Sequence, residues 1–129
     1  MNRVKVLNAL IELQKNIKAH PKVVSEISEL IFKSGHEREF FKLFEKRLQQ
    51  AKTLKHEVTL LNEFEKLSGY PNLYSMHLQS KNFNIRILYS YFEKDEILLH
   101  CFFEREGKLH TSYDVHAPIA IDRIKEMEE

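Results

Sequence analysis

The sequence predicts one α+β domain: N-terminal helices packed on a small antiparallel β-sheet, with a C-terminal helix closing the chain. Three observations carry this. Apolar residues recur at helical spacing as far as residue 67, alternate with a period of two from Asn72 onward, and return to helical spacing after Pro118. With 129 residues, 43% of them hydrophobic, the chain is long enough for one well-filled core and too short for two comfortable domains.

Residues 4–18 place Val4, Leu7, Leu10, Ile11 and Ile17 near helical spacing, although Val4 and Val6 also alternate as a strand would. Helix is the expectation. Pro21 then opens a second segment, with Val24, Ile27, Leu30 and Ile31 on one stripe. Ser34-Gly35-His36-Glu37 has the form of a helix stop followed by a start, Gly35 being able to take positive φ and Ser34 and Glu37 being spaced as a capping box. Phe40, Phe41, Phe44 and Leu48 form the stripe of the long helix that follows. After a break near Thr53, Leu54, Val58, Leu61, Phe64 and Leu67 form another, ended by Ser68-Gly69-Tyr70-Pro71. Two helices joined by so short a link lie antiparallel, and their stripes need a sheet face to cover.

The sheet begins with a strand from Leu73 to Ser80 and a tight turn at Lys81-Asn82. Its centre is Phe83 to Phe103, two dense runs of Ile, Leu, Tyr and Phe separated only by Glu93-Lys94-Asp95-Glu96. Alternation places Phe83, Ile85, Ile87, Tyr89 and Tyr91 on one face of the first run and Asn84, Arg86, Leu88, Ser90 and Phe92 on the other. Glu104 to Lys108 is turn-like, and Leu109 to Tyr113 makes a short further strand. Pro118 stands where a helix takes its first residue, and that helix buries Ile121, Ile124 and Met127.

No run reaches the roughly 20 apolar residues that a membrane-spanning helix needs. The N-terminus lacks the pattern of a secretory signal, and the single Cys101 lies within an apolar strand, so a reducing cytoplasm is the expected location. Net charge is +1, unevenly spread: residues 1–72 hold 13 basic and 9 acidic side chains (+4), residues 73–129 hold 7 and 10 (−3). Attraction to a phosphate backbone would therefore come from the helical half. Lys46, Arg47, Lys52 and Lys55, with Lys81 in the turn, are the candidate RNA-binding residues, and a solvated helix face explains the helical charges equally well.

Arg86 is the most informative residue, because a guanidinium inside an apolar strand must find a counter-charge, a ligand or the edge of a groove. One reading is a structural ion pair with Glu96 or Glu104. The other is an anion clamp, since the planar fork of donors suits a phosphate. Around the same end of the sheet lie Arg105, Lys108, His110 and Tyr113. Arginines neutralise charge growing on a phosphorane-like transition state while a His or Tyr moves protons, so Arg86, Arg105, Lys108, His110 and Tyr113 form the candidate catalytic set. No metal or cofactor is expected: the histidines lack zinc-site spacing, and glycine is too sparse for a phosphate-binding loop.

Three segments, Leu73-Tyr74-Ser75-Met76-His77-Leu78, Asn84-Ile85-Arg86-Ile87-Leu88-Tyr89 and Ile97-Leu98-Leu99-His100-Cys101-Phe102, followed by a polar turn and Pro118-Ile119-Ala120-Ile121-Asp122-Arg123, resemble in order and spacing the RelE/ParE toxin superfamily. Within it they resemble the phage-derived HigB-like subgroup. The likeness covers roughly residues 38–129, so a core over 36–129 is preceded by a helical extension over 1–35. The resemblance implies the toxin of a type II toxin–antitoxin system, neutralised by an antitoxin, expected to be a helix-turn-helix protein. Many relatives cut mRNA on the ribosome without metal, by attack of a ribose 2′-hydroxyl on the adjacent phosphate, and in them the strand arginine that Arg86 matches stabilises the scissile phosphate. The alternative implied by the same fold is a toxin directed at DNA gyrase, or a non-catalytic interaction protein. Where the subgroup carries two lysines after the last strand, this chain has Phe103-Glu104, with Arg105 and Lys108 displaced along the turn.

Overall fold

The computed structural model describes residues 4, 5, 8, 9, 12, 18–92, 95–104 and 113–128. In chain order these form β1 (Lys18–Ala19), α1 (Pro21–Ile31), α2 (Glu37–Leu54), a 3-10 helix (Lys55–Leu60), β2 (Phe64–Lys66), β3 (Tyr74–Gln79), β4 (Asn84–Phe92), β5 (Asp95–Phe103) and α3 (Tyr113–Glu128). The strands make one five-stranded sheet in the order β1-β5-β4-β3-β2. Its pairings are antiparallel except that β1 runs parallel to β5, so the sheet is mixed where an antiparallel one was expected. No described helix is long and apolar enough to cross a membrane.

The two central strands lie where the apolar runs place them. One face of β4, Ile85, Ile87, Tyr89 and Tyr91, packs under α1 and α2, whose buried stripes are Val23, Ile27 and Ile31 and Phe40, Phe44, Leu48 and Ala51. Each stripe follows the i, i+4 rule, and each fully buried large side chain contributes about 1.5–3 kcal/mol. The opposite face, with Leu88, Leu99 and Phe102, is covered by Ala117 and Ala120 of α3. These two small residues let α3 lie close on the sheet.

The helix starts are built from local side-chain acceptors. Pro21 opens α1, and the His20 imidazole Nδ1 accepts the Lys22 amide at 3.1 Å. Gly35 takes φ of +81°, as expected, but the Ser34–Glu37 box is displaced: Ser34 Oγ accepts from the His36 amide and Glu37 accepts from the Gly35 amide.

Three further expectations are corrected. The second helix from Leu54 to Leu67 is absent: Lys55 takes φ of +54°, a 3-10 helix runs to Leu60, and Phe64–Lys66 instead pairs antiparallel with Met76–Tyr74. Val58 and Phe64 still reach the core, but through a turn and a strand, because the Tyr91 hydroxyl, 3.0 Å from the carbonyls of both Ala51 and Lys55, shares its one hydrogen between them and closes α2 there. α3 begins at Tyr113, so Tyr113 is helical and Pro118 lies in the second turn, where it forgoes one backbone bond. α3 buries Ala117, Ala120 and Arg123, while Ile121 and Ile124 are half-buried and Met127 is exposed. Of the segment 4–18, Val4, Lys5, Asn8, Ala9 and Glu12 are helical and Lys18 starts β1; the remaining residues, like 109–112 of the expected short strand, lie outside the described residues.

Candidate functional site

A β-bulge shapes the α3 side of the sheet. Leu88 pairs with His100 and Tyr89 with Leu98, so Leu99 is an extra residue and both Leu99 and His100 oppose Leu88. Strict alternation would turn either Leu99 or His100 toward α1 and α2. The bulge keeps both toward α3, next to Phe102, which is the cross-strand partner of Arg86.

Two polar clusters flank Phe102. In the first, Arg86 Nε donates to Glu104 Oε2 at 2.7 Å, while Nη1 makes longer contacts to Glu65 (3.4 Å) and Ser75 (3.5 Å). No described residue bonds Nη2. The guanidinium stands 5.8 Å from the Tyr113 ring, and the Tyr113 hydroxyl donates to Glu65. Burial, then that bond to Glu65, raises the Tyr113 hydroxyl well above its ordinary range, so it stays protonated at neutral pH. His77 stands across β3 from Arg86 and contacts both Asn84 (2.5 Å) and Glu104 (3.2 Å).

The second cluster joins α1, β5 and α3. β1 pairs with β5 only at Ile97 and Leu98, and beyond it the Cys101 amide donates to Glu26 Oε1 at 3.0 Å. Arg123 chelates the same carboxylate through Nη1 (2.7 Å) and Nη2 (3.0 Å) and donates to the Leu99 carbonyl at 2.8 Å. His100 Nδ1 lies 2.8 Å from Glu26 Oε2, and His100 Nε2 lies 2.7 Å from His116 Nδ1. Burial pushes the Glu26 carboxyl upward, but the bonds from His100, Arg123 and the Cys101 amide overcome it and hold the group at about 2. His116 lies flat on Phe102, with ring centroids 3.7 Å apart, and burial followed by the neighbouring His100 lowers its pKa.

Of the expected catalytic set, Arg86 and Tyr113 come together. Arg105, Lys108 and His110 lie outside the described residues, although both flanks of that segment, Glu104 and Tyr113, contact Arg86. The structural reading of Arg86 is met by Glu104, whereas Glu96 lies on the other face beside Lys55, at 3.9 Å.

The expected RNA-binding residues are dispersed. Lys46 and Lys52 are exposed on α2, on the layer opposite Arg86, and Lys81 is exposed in the β3–β4 turn. Lys55 is half-buried beside Glu96. Arg47 is buried, with its guanidinium donating to the His77 carbonyl and to Gln50, so it is no solvated phosphate contact.

Cys101 is buried, and burial pushes its thiol well up, as suits inert packing. Among the described residues no His, Cys, Asp and Glu group is arranged to hold a metal ion. A cavity of about 430 Å³ lies under the C-terminal half of α3, lined by Asn72, Tyr91, Ile97, Leu99 and Ile124 among others; of the second cluster it shares only Leu99, whose carbonyl Arg123 holds.

Sequence reasoning missed Glu26, His100, His116 and Arg123 as a unit. The available signal was His100, a titratable side chain in an apolar strand that needs a partner for the same reason as Arg86. No family matches the chain, and no curated protein or solved structure is detectably similar to it.

Proposed function

We propose that this chain is a toxin with metal-independent, ribosome-dependent mRNA endoribonuclease activity, of the RelE/ParE, HigB-like kind. The observation that carries the reading is Arg86, set on a central strand beside Tyr113 with Nη2 bonded by no described residue. A phosphate reaching Nη2 gains a charge-assisted bond without dismantling the Nε–Glu104 pair, which holds the fork in place. In this reading an antitoxin of the helix-turn-helix class restrains the toxin until it meets ribosome and mRNA.

One observation favours a second reading. Arg86 is already ion-paired at 2.7 Å, and Glu65 and Glu104 make its surroundings acidic. That suits a non-catalytic interaction protein or a gyrase-directed toxin on the same fold. Induced expression separates the readings. An mRNA endoribonuclease halts translation and leaves transcripts cut within codons, a gyrase poison elicits a DNA-damage response, and normal growth with intact RNA contradicts both.

A further inference from the structure

We propose that His116 is the general base of this site, held in its reactive tautomer by His100 and Glu26 acting as positioning residues. The inference rests on the endoribonuclease reading and assigns a role in it that the Arg86 cluster leaves empty.

The proton assignment follows from counting donors. Arg123 Nη1 has two hydrogens, and they go to Glu26 Oε1 at 2.7 Å and to the Leu99 carbonyl at 2.8 Å. None remains for His100 Nδ1, 3.2 Å away, so Nδ1 carries its own hydrogen and donates it to Glu26 Oε2 at 2.8 Å. We take His100 as neutral: its Nε2 then accepts, and His116 Nδ1 is the donor across their 2.7 Å contact. His116 Nε2 is left with its lone pair, and no described residue bonds it.

Position supports use of that lone pair. His116 and Tyr113 are one turn apart on α3 and touch the same ring: Phe102 stacks on His116 at 3.7 Å and meets Tyr113 edge-on at 6.5 Å. Tyr113 in turn borders the Arg86 guanidinium. A base and an anion-binding cation therefore flank one aromatic residue on one face of the sheet. A purely structural lock is complete with Glu26, Arg123 and the Cys101 amide; the second imidazole extends it to a half-buried side chain. Burial lowers the His116 pKa and so favours the neutral form that a base needs.

In the step, the ribose 2′-hydroxyl gives its proton to His116 Nε2 as its oxygen bonds to the adjacent phosphorus. The bond from phosphorus to the 5′-oxygen breaks, and that oxygen takes a proton from water. The products are a 2′,3′-cyclic phosphate and a 5′-hydroxyl, and His116 returns its proton to the hydroxide so formed. Positive charge on His116 is stabilised through His100 by Glu26.

The test uses the full chain with ribosomes programmed with a defined mRNA. His116→Ala is expected to lower single-turnover cleavage by about 10²-fold or more. His116→Asn, whose amide nitrogen takes the place of Nδ1 and still donates to His100 Nε2, should fold like the parent and be equally slow. Glu26→Gln removes the charge that favours protonated His116, so the acid limb of the rate profile moves to lower pH, a displacement that a packing role does not produce. Nitrogen-15 NMR of the wild type should show His116 protonated at Nδ1. Wild-type cleavage with a folded His116→Asn variant within about threefold of it overturns the inference alone, as does an Nε2-protonated His116. Absence of wild-type cleavage overturns the endoribonuclease reading, and the inference with it.

Discussion

Replacing Arg123 with methionine keeps an apolar stem in place and removes the guanidinium that chelates Glu26. Arg123 is 8% exposed and the Glu26 side chain 22%, so the stranded carboxylate cannot fully rehydrate. Breaking a buried pair costs about 3–5 kcal/mol, and because the Cys101 amide (3.0 Å) and His100 (2.8 Å) still serve Glu26, the lower end, about 3 kcal/mol, is expected. A second route gives a similar figure. A carboxyl held at about 2 instead of 4.5 contributes roughly 3 kcal/mol at neutral pH, shared among all its donors. Since the folded-state pKa is depressed, that contribution is fully present above pH 4.5 and is lost as pH falls through 2. Urea unfolding from pH 7 to pH 2 should therefore show a steep acid loss in the wild type, and in Arg123→Met a lower midpoint at pH 7 with a shallower loss. Adding Glu26→Gln to Arg123→Met should recover part of the deficit. A single variant within about 1 kcal/mol of the parent at pH 7, with an unchanged acid slope, refutes the reasoning.

Tyr91→Phe leaves the carbonyls of Ala51 and Lys55 without the hydroxyl 3.0 Å from each, and thermal melting should show a loss of about 1–3 kcal/mol. Arg47→Met should cost about 2 kcal/mol in urea titration, because its bonds to the His77 carbonyl and Gln50 are internal, whereas exposed Lys52→Ala should stay within about 0.5 kcal/mol. Gly35→Ala meets no atom within 4 Å, yet its φ of +81° should cost about 1–2 kcal/mol by calorimetry, and an unchanged Tm would argue against the assigned turn.

The apolar runs made β4 and β5 legible because strands buried on both faces read as near-continuous runs of Ile, Leu, Tyr and Phe, and the Phe40, Phe44 and Leu48 stripe did the same for α2. The region from Lys55 to Lys66 was not legible. Val58 and Phe64 satisfy helical spacing, but a tertiary bond from Tyr91, distant in sequence, ends the helix. Pro118 misled for a related reason: helix starts favour proline, yet packing of Ala117 and Ala120 on the sheet outweighs one lost bond. Arg86 identified itself by being charged in an apolar strand. The Glu26–His100–His116–Arg123 cluster could not, since it joins three elements across as many as 97 positions and depends on a bulge that leaves no pattern in the residues.

The most direct measurement is cleavage of a defined mRNA on purified ribosomes by the wild-type chain and by Arg86→Ala, with the melting temperature of each. Discrete cuts by the wild type are expected, with about a 10²–10³-fold slower reaction for Arg86→Ala in a protein that stays folded, Glu104 keeping His77 at 3.2 Å. A folded Arg86→Ala variant that cuts as fast as the wild type, or a wild type that leaves ribosome-bound mRNA intact, contradicts this expectation.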